Sequence, residues 1–136
     1  MIKPIVTNPL QLNQVAQPAT ALDQSTCQDL RDTLKAHQAE CVGMAANMIG
    51  VNKRIIIAEI GPLTLVMLNP VITKQAKPYR TQEGCLSLIG ERPTNRFETI
   101  TVNYRNEQFQ TQTQTFTGFS AQIIQHEIDH CDGIVI

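Results

Sequence analysis

Residues 122–136 read QIIQHEIDHCDGIVI, which sets His126 and His130 four positions apart with Glu127 between them. Side chains at i and i+4 share one face of a helix, the spacing that lets two imidazoles ligate one ion. A mononuclear site usually takes a third protein ligand. Only Cys131 to Ile136 follow His130, so the pattern predicts a helix whose metal site is completed from upstream. Gly118 is expected to introduce that helix, with Phe119, Ile123, Ile124 and Ile128 facing a core.

Upstream of the helix the chain reads as strands. FETITVNY (97–104) and EQFQTQTQTFTG (107–118) are joined by RNEQ (105–108) as a hairpin connection, and the second alternates with period two. Before them, RIIIAEI (54–60) and TLVMLNPVIT (64–73) are runs of branched apolar residues bounded by Asn, Gly and Pro. From Asp23 to Glu40, Cys27, Leu30 and Leu34 recur at helical steps among polar neighbours, with Asp23, Ser25 and Thr26 as candidate N-caps. The expectation is an N-terminal helix, a β-rich middle and a C-terminal helix.

With 136 residues, 42% of them hydrophobic and 17% charged, the chain suits a single domain over 1–136. The net charge is -1 and Lys and Arg are scattered, which argues against a nucleic-acid surface. MIKPIVTNPLQLNQ (1–14) lacks the apolar core of a signal peptide. No run approaches the roughly 18 apolar residues of a membrane span. A soluble, cytoplasmic protein is expected. Cys27, Cys41, Cys85 and Cys131 are irregularly spaced, which favours free thiols or a metal ligand over a disulfide framework. Three of them are expected to be buried small hydrophobes.

For the third ligand, His37 lies in the first helix as an ordinary, partly exposed histidine. Acidic residues are available, but Cys85 stands out in QEGCLSLIG (82–90). There Gly84 allows close backbone approach, and the N–H groups that follow can face the same cavity. A thiolate and two imidazoles would make a three-ligand site with an open position.

GMAANMIG (43–50), EGCLS (83–87) and QHEIDHCDG (125–133), in this order and at these separations, resemble the three signature motifs of the peptide deformylases. The family pattern is G-φ-G-φ-A-A-x-Q-φ-G, then E-G-C-φ-S, then Q-H-E-φ-D-H, where φ is apolar. The second and third motifs match at every position. The resemblance implies an α+β fold, with antiparallel β-sheets around a C-terminal metal-binding helix and an N-terminal helix. It implies that Cys85, His126 and His130 ligate one divalent metal per chain, with Fe2+ the usual ion and Zn2+ or Ni2+ able to occupy the same site. Glu127 matches the general acid/base and Leu86 the residue whose backbone N–H faces the developing oxyanion. Gly43, with Val42 and Met44 beside it, matches the strand that pairs with the peptide. The implied reaction is hydrolysis of the N-formyl group from the initiator methionine of N-formylated nascent polypeptides.

The residues carry that chemistry in their own right. A divalent ion brings water toward a pKa of about 7. Glu127, next in sequence to a ligand and about 100° around the helix, can reach that water as a proton carrier. Asp129 is expected to be an outer carboxylate or a helix-surface one rather than a second base.

Two departures from the pattern stand out. Cys41 occupies the position of the first Gly and Met48 that of the Gln, whose carboxamide donates to the formyl oxygen in the family. A thioether donates nothing. Losing such a donor costs about 10²–10³ in rate, so activity is expected to be reduced more than metal binding. Asn47 carries a carboxamide one position earlier, but in an extended segment its side chain would face the opposite way. Family members also commonly continue beyond the position of Ile136. H-E-x-x-H is shared with zinc endopeptidases, which usually take a third ligand from beyond the second His. A non-catalytic descendant binding a metal and a blocked peptide would keep the same ligands.

Overall fold

The run Ile55, Ile56, Ile57, Ala58 shows no polar alternation, and in the computed structural model, which describes residues 1–135, both of its faces are buried. These residues belong to strand β2 (Ile55–Ile60) of an antiparallel sheet that also contains β1 (Gly43–Ala45), β3 (Leu63–Gly84), β4 (Glu91–Arg105) and β5 (Thr111–Thr117). The spatial order follows the sequence, β1-β2-β3-β4-β5. Successive side chains of a strand point to opposite faces. Ile55 and Ile57 therefore pack with Leu30 and Leu34 of helix α2 (Gln24–Ala36), on the opposite side from Ile56 and Ala58, which pack with Ile124 and Ile128 of helix α3 (Gly118–Cys131). Burying an Ile side chain is worth about 1.5–3 kcal/mol, so this one strand ties both helices to the sheet. The fold is α+β, as the motif resemblance implies.

Helix α2 stops at Ala36 rather than at Glu40, with His37 as its C-cap. Asp23 is its N-cap residue, but the carboxylate accepts from the backbone N–H of Thr20 and caps no helical N–H. A one-turn helix, α1 (Pro9–Leu12), was not expected, although its signal is local. The Asn8 side chain accepts from Leu10 N, and Pro9 opens the turn.

Strand β3 runs eleven residues beyond the stretch that reads as a strand, to Gly84. Most of residues 74–82 is exposed, so no apolar period marks it, and Lys77 interrupts it with φ +62°. The β4–β5 connection lies a little later than RNEQ. The side chain of Asn106 accepts from the N–H groups of Gln108 and Gln110, and Phe109 takes φ +61°. At the other end of β5, Gly118 has φ +61°, which turns the chain into α3. Phe119 corrects the expected core set: it is 64% exposed, whereas Ile123, Ile124 and Ile128 are buried. Among the described residues, no helix is long and apolar enough to cross a membrane.

Candidate active site

Gly84 pairs with Glu91, so residues 85–90 form the tip of the β3–β4 hairpin, and EGCLS is the end of β3 followed by the start of that tip. The tip lies against α3. Cys85 Sγ is 3.3 Å from His130 Nε2, and one donor atom each from Cys85, His126 and His130 lie within 4.8 Å of one another. The two imidazole rings are 5.2 Å apart, as a four-residue spacing on one helix face requires.

The environment sets the state of each ring. Glu83 is buried, which works to raise its pKa, but hydrogen bonds from His126 and Arg96 outweigh that and hold it at about 2. An ionised carboxylate only accepts, so its 2.8 Å contact with His126 Nδ1 keeps a proton on Nδ1 and makes Nε2 the nitrogen that can ligate. Burial lowers His130 to about 3, with the charges of His126 and Arg96 adding to the effect, so its imidazole is neutral at pH 7. Burial also works to lower His126, but the Glu127 charge and the hydrogen bonds with Cys85 and Glu83 raise it to about 10. Three convergent donors of the kind that iron, zinc and nickel accept fit a divalent metal.

Glu127 is buried beside these groups, with Oε1 unpartnered and its carboxyl lying against Gly43. Burial raises its pKa to about 7, near the value a group needs both to take and to give a proton at neutral pH. A cleft of about 480 Å³ opens over the site, lined by Val42, Gly43, Met48, Leu86 and Phe119 among others. Met44 points away from it, into the core beneath α2. Gly43 and Met44 belong to β1, which among the described residues pairs with β2 alone and leaves its other edge unpaired, with Gly43 on the cleft wall. Leu86 is half-buried in the hairpin tip.

Met48 lines the cleft while 1% exposed, and its Sδ accepts the Ala45 N–H at 3.5 Å. Asn47 lies in a single 3₁₀ turn (Ala46–Ile49), not in an extended segment. It still faces away from the cleft: its Nδ2 donates to His130 O at 3.0 Å and to Leu12 O at 3.4 Å. Of the cysteines expected to be buried small hydrophobes, Cys27 and Cys131 are buried, but Cys41 is half-buried on the cleft wall. Burial, and then the Glu127 charge, raise the Cys41 thiol to about 11. His37 stands apart from the site and contacts Glu40.

Besides Glu83, three supporting residues carry no role in the sequence reading. Arg96, 4% exposed, donates to both oxygens of Glu83 and, through Nη1, to Asp129 at 2.7 Å. Asp129 thus shares Arg96 with Glu83. Gln125 bonds both the N–H and the C=O of Phe97, each at 2.8 Å, so its carboxamide fixes the register of α3 against β4. Gln122 donates to Glu83 Oε2 at 2.9 Å. Glu83 and Gln125 stand inside the quoted motifs and could have been found there. Arg96 has no local signal, because it meets its partners only through the β3–β4 pairing.

The polypeptide deformylase family model matches residues 2–136. A peptide deformylase of Clostridium beijerinckii is 55% identical over 136 residues that span all of both chains. That of Aquifex aeolicus is 34% identical over 143 aligned positions, 98% of this chain and 85% of the relative. Among solved structures, a class I type b peptide deformylase from Acinetobacter baumannii with Met-Ala-Ser bound superposes with a TM-score of 0.89 at 28% identity, covering 99% of this chain and 97% of that one. The Thermus thermophilus enzyme gives a TM-score of 0.87 at 33% identity, covering 98% and 83%.

Proposed function

The chain belongs to the peptide deformylase family, and from that premise we propose that Cys85, His126 and His130 hold the metal with which this hydrolase removes N-formyl groups. The observation that carries the assignment is the approach of three donor atoms within 4.8 Å on two elements, the β3–β4 tip and α3. Fe2+ is the proposed native ion, with Zn2+ and Ni2+ suited to the same donors. The substrate is the formylmethionyl end of a nascent polypeptide. It is met in the cytoplasm by a chain that acts as one domain over 1–136.

When bound, the ion supplies Lewis acidity to the formyl carbonyl and makes water nucleophilic at neutral pH. Glu83 keeps the His126 ring in the tautomer that can ligate. Glu127, with a pKa near 7, takes a proton from the attacking water and gives it to the departing amine. The Leu86 N–H donates to the oxygen that gains charge as the carbonyl carbon becomes tetrahedral. Val42, Gly43 and Met44 offer the open edge of β1 to the extended peptide backbone, and the cleft above receives its first side chain. Met48 contributes no hydrogen bond to that oxygen, so turnover is reduced relative to a site with a carboxamide there.

The test is turnover of formyl-methionyl peptides after anaerobic reconstitution with Fe2+, run beside acetylated and unblocked peptides. Deformylation that disappears in Glu127→Ala with metal retained, and metal that is lost in Cys85→Ser and His130→Ala but not in Cys27→Ser, is the expected result. Full metal occupancy in Cys85→Ser would sink the ligand assignment.

A further inference from the structure

Among the described residues, the side-chain atoms that are buried without a hydrogen-bond partner include Asn47 Oδ1, Ser87 Oγ, Glu127 Oε1 and His130 Nδ1. The Glu127 oxygen belongs to the proton transfer described above. Two of the others are complementary. The Nε2 atom of His130 faces Cys85, so Nε2 is the nitrogen turned toward the other donors, and Nδ1, which keeps the ring proton when Nε2 ligates, is buried with no acceptor. A buried donor left unpaired is costly. Asn47 is 5% exposed, and its Nδ2 donates to two main-chain carbonyls, those of His130 and Leu12. Two carbonyl partners fix which end of the amide is nitrogen. Its Oδ1 is therefore an acceptor with no donor, on a residue already bonded to His130.

We infer that Asn47 is a positioning residue for His130: its Oδ1 accepts the Nδ1–H of that ring through one buried water, while its Nδ2 holds the carbonyl of the same residue. A buried water needs two or more polar partners and a polar site, and these two atoms supply them. Asn47 would then do for His130 what Glu83 does for His126, with a neutral amide in place of a carboxylate. The two ligand rings would thus be oriented by different elements, one by the β3–β4 hairpin and the other by the 3₁₀ turn after β1. Resting on the assignment of His130 as a ligand, this gives Asn47 a role that the oxyanion reading of its carboxamide did not.

The experiment uses the full chain with Zn2+ as the probe. Affinity is measured by chelator competition for wild type, Asn47→Ala, Asn47→Leu and His130→Ala, with ¹⁵N-imidazole spectra of the zinc-loaded proteins. Leu fills the space of Asn but accepts nothing, whereas Ala leaves room for water that can accept from the ring and donate to the carbonyls. The expected order of affinity is wild type, then Ala, then Leu, with a loss of about 10–100-fold for Leu. A role in packing alone reverses the last two. The His130 Nδ1–H resonance should exchange slowly in wild type and faster in both variants. Should Asn47→Leu fail to fold, the Ala spectrum decides the matter, because an unchanged His130 resonance there overturns the inference. Wild-type affinity in Asn47→Leu overturns it too, while leaving the ligand assignment intact. Zinc retained at full affinity by His130→Ala removes the assignment itself.

Discussion

A methyl group at Gly43 has no space to enter. Built on this backbone, the Cβ of Gly43→Ala lies 2.8 Å from Ile123 Cγ2, 2.9 Å from Glu127 Oε2 and 3.2 Å from Glu127 Cγ. Carbon contacts are comfortable at about 3.5–4.0 Å, so these atoms must retreat by roughly 0.5–1 Å. Ile123 and Glu127 sit one turn apart on α3 and are both buried, so neither can swing into solvent. Overpacking of this kind costs about 1–3 kcal/mol, and at ~4 °C per kcal/mol for a chain of this size Tm should fall by about 4–12 °C. A displacement near 1 Å at a proton-carrying group costs on the order of 10² in rate. Gly43→Ala should therefore lose about 10²-fold in kcat on a formyl-methionyl peptide while remaining folded and binding metal, because none of the three ligands is pushed directly. Steady-state kinetics, thermal melting and metal analysis on one preparation give the answer. Wild-type kcat with an unchanged Tm would refute the close packing of β1 on Glu127, and metal loss as large as the rate loss would show that α3 moves as a whole.

Met48→Gln should raise kcat by up to about 10²–10³ with little change in KM, because its Oε1 can keep the Ala45 N–H bond that Sδ now accepts while its Nε2 supplies the missing donor. Met48→Leu is the control, with turnover expected to change little, and a Gln variant that folds, holds metal and gains nothing would show that this donor does not limit the site. Arg96→Leu should cost about 3–5 kcal/mol in urea unfolding, because Glu83 and Asp129 lose their shared counter-charge in a buried setting. The same variant should lose about 10–100-fold in zinc affinity through the freed Glu83, and a neutral result in both measurements would remove Arg96 from the site's support.

Much of the molecule can be read locally. The i, i+4 histidines, the three- and four-residue steps of Cys27, Leu30 and Leu34 and the branched run of β2 each announce their element, because periodicity reports which faces are covered. Where both faces are exposed, as over residues 74–82, the same signal is silent although the strand is present. Phe119 misleads for a related reason: hydrophobicity says only that a side chain gains from cover, and this one lies on the rim of the cleft. The backbone turn at Ala46–Ile49 decides where Asn47 and Met48 point, and no residue pattern within the motif discloses it. The Glu83–Arg96–Asp129 bridge is least legible, since it exists only once β3 pairs with β4 and α3 packs beneath them.

Cys85 and His130 meet across 45 positions of chain, with β4, β5 and most of α3 lying in between. An ion held at their meeting point closes that span into a ring and so acts as a removable staple. Confining a loop of this length lowers the entropy of the unfolded chain by an amount worth on the order of 4 kcal/mol, on the scale developed for disulfides. In a reducing compartment, which would deny such a chain a permanent cross-link, a metal would restore one that forms only where a thiolate and imidazoles are correctly arranged. The ion that serves the chemistry would then also guard the fold, so starvation for metal would expose the protein to unfolding as well as silence it.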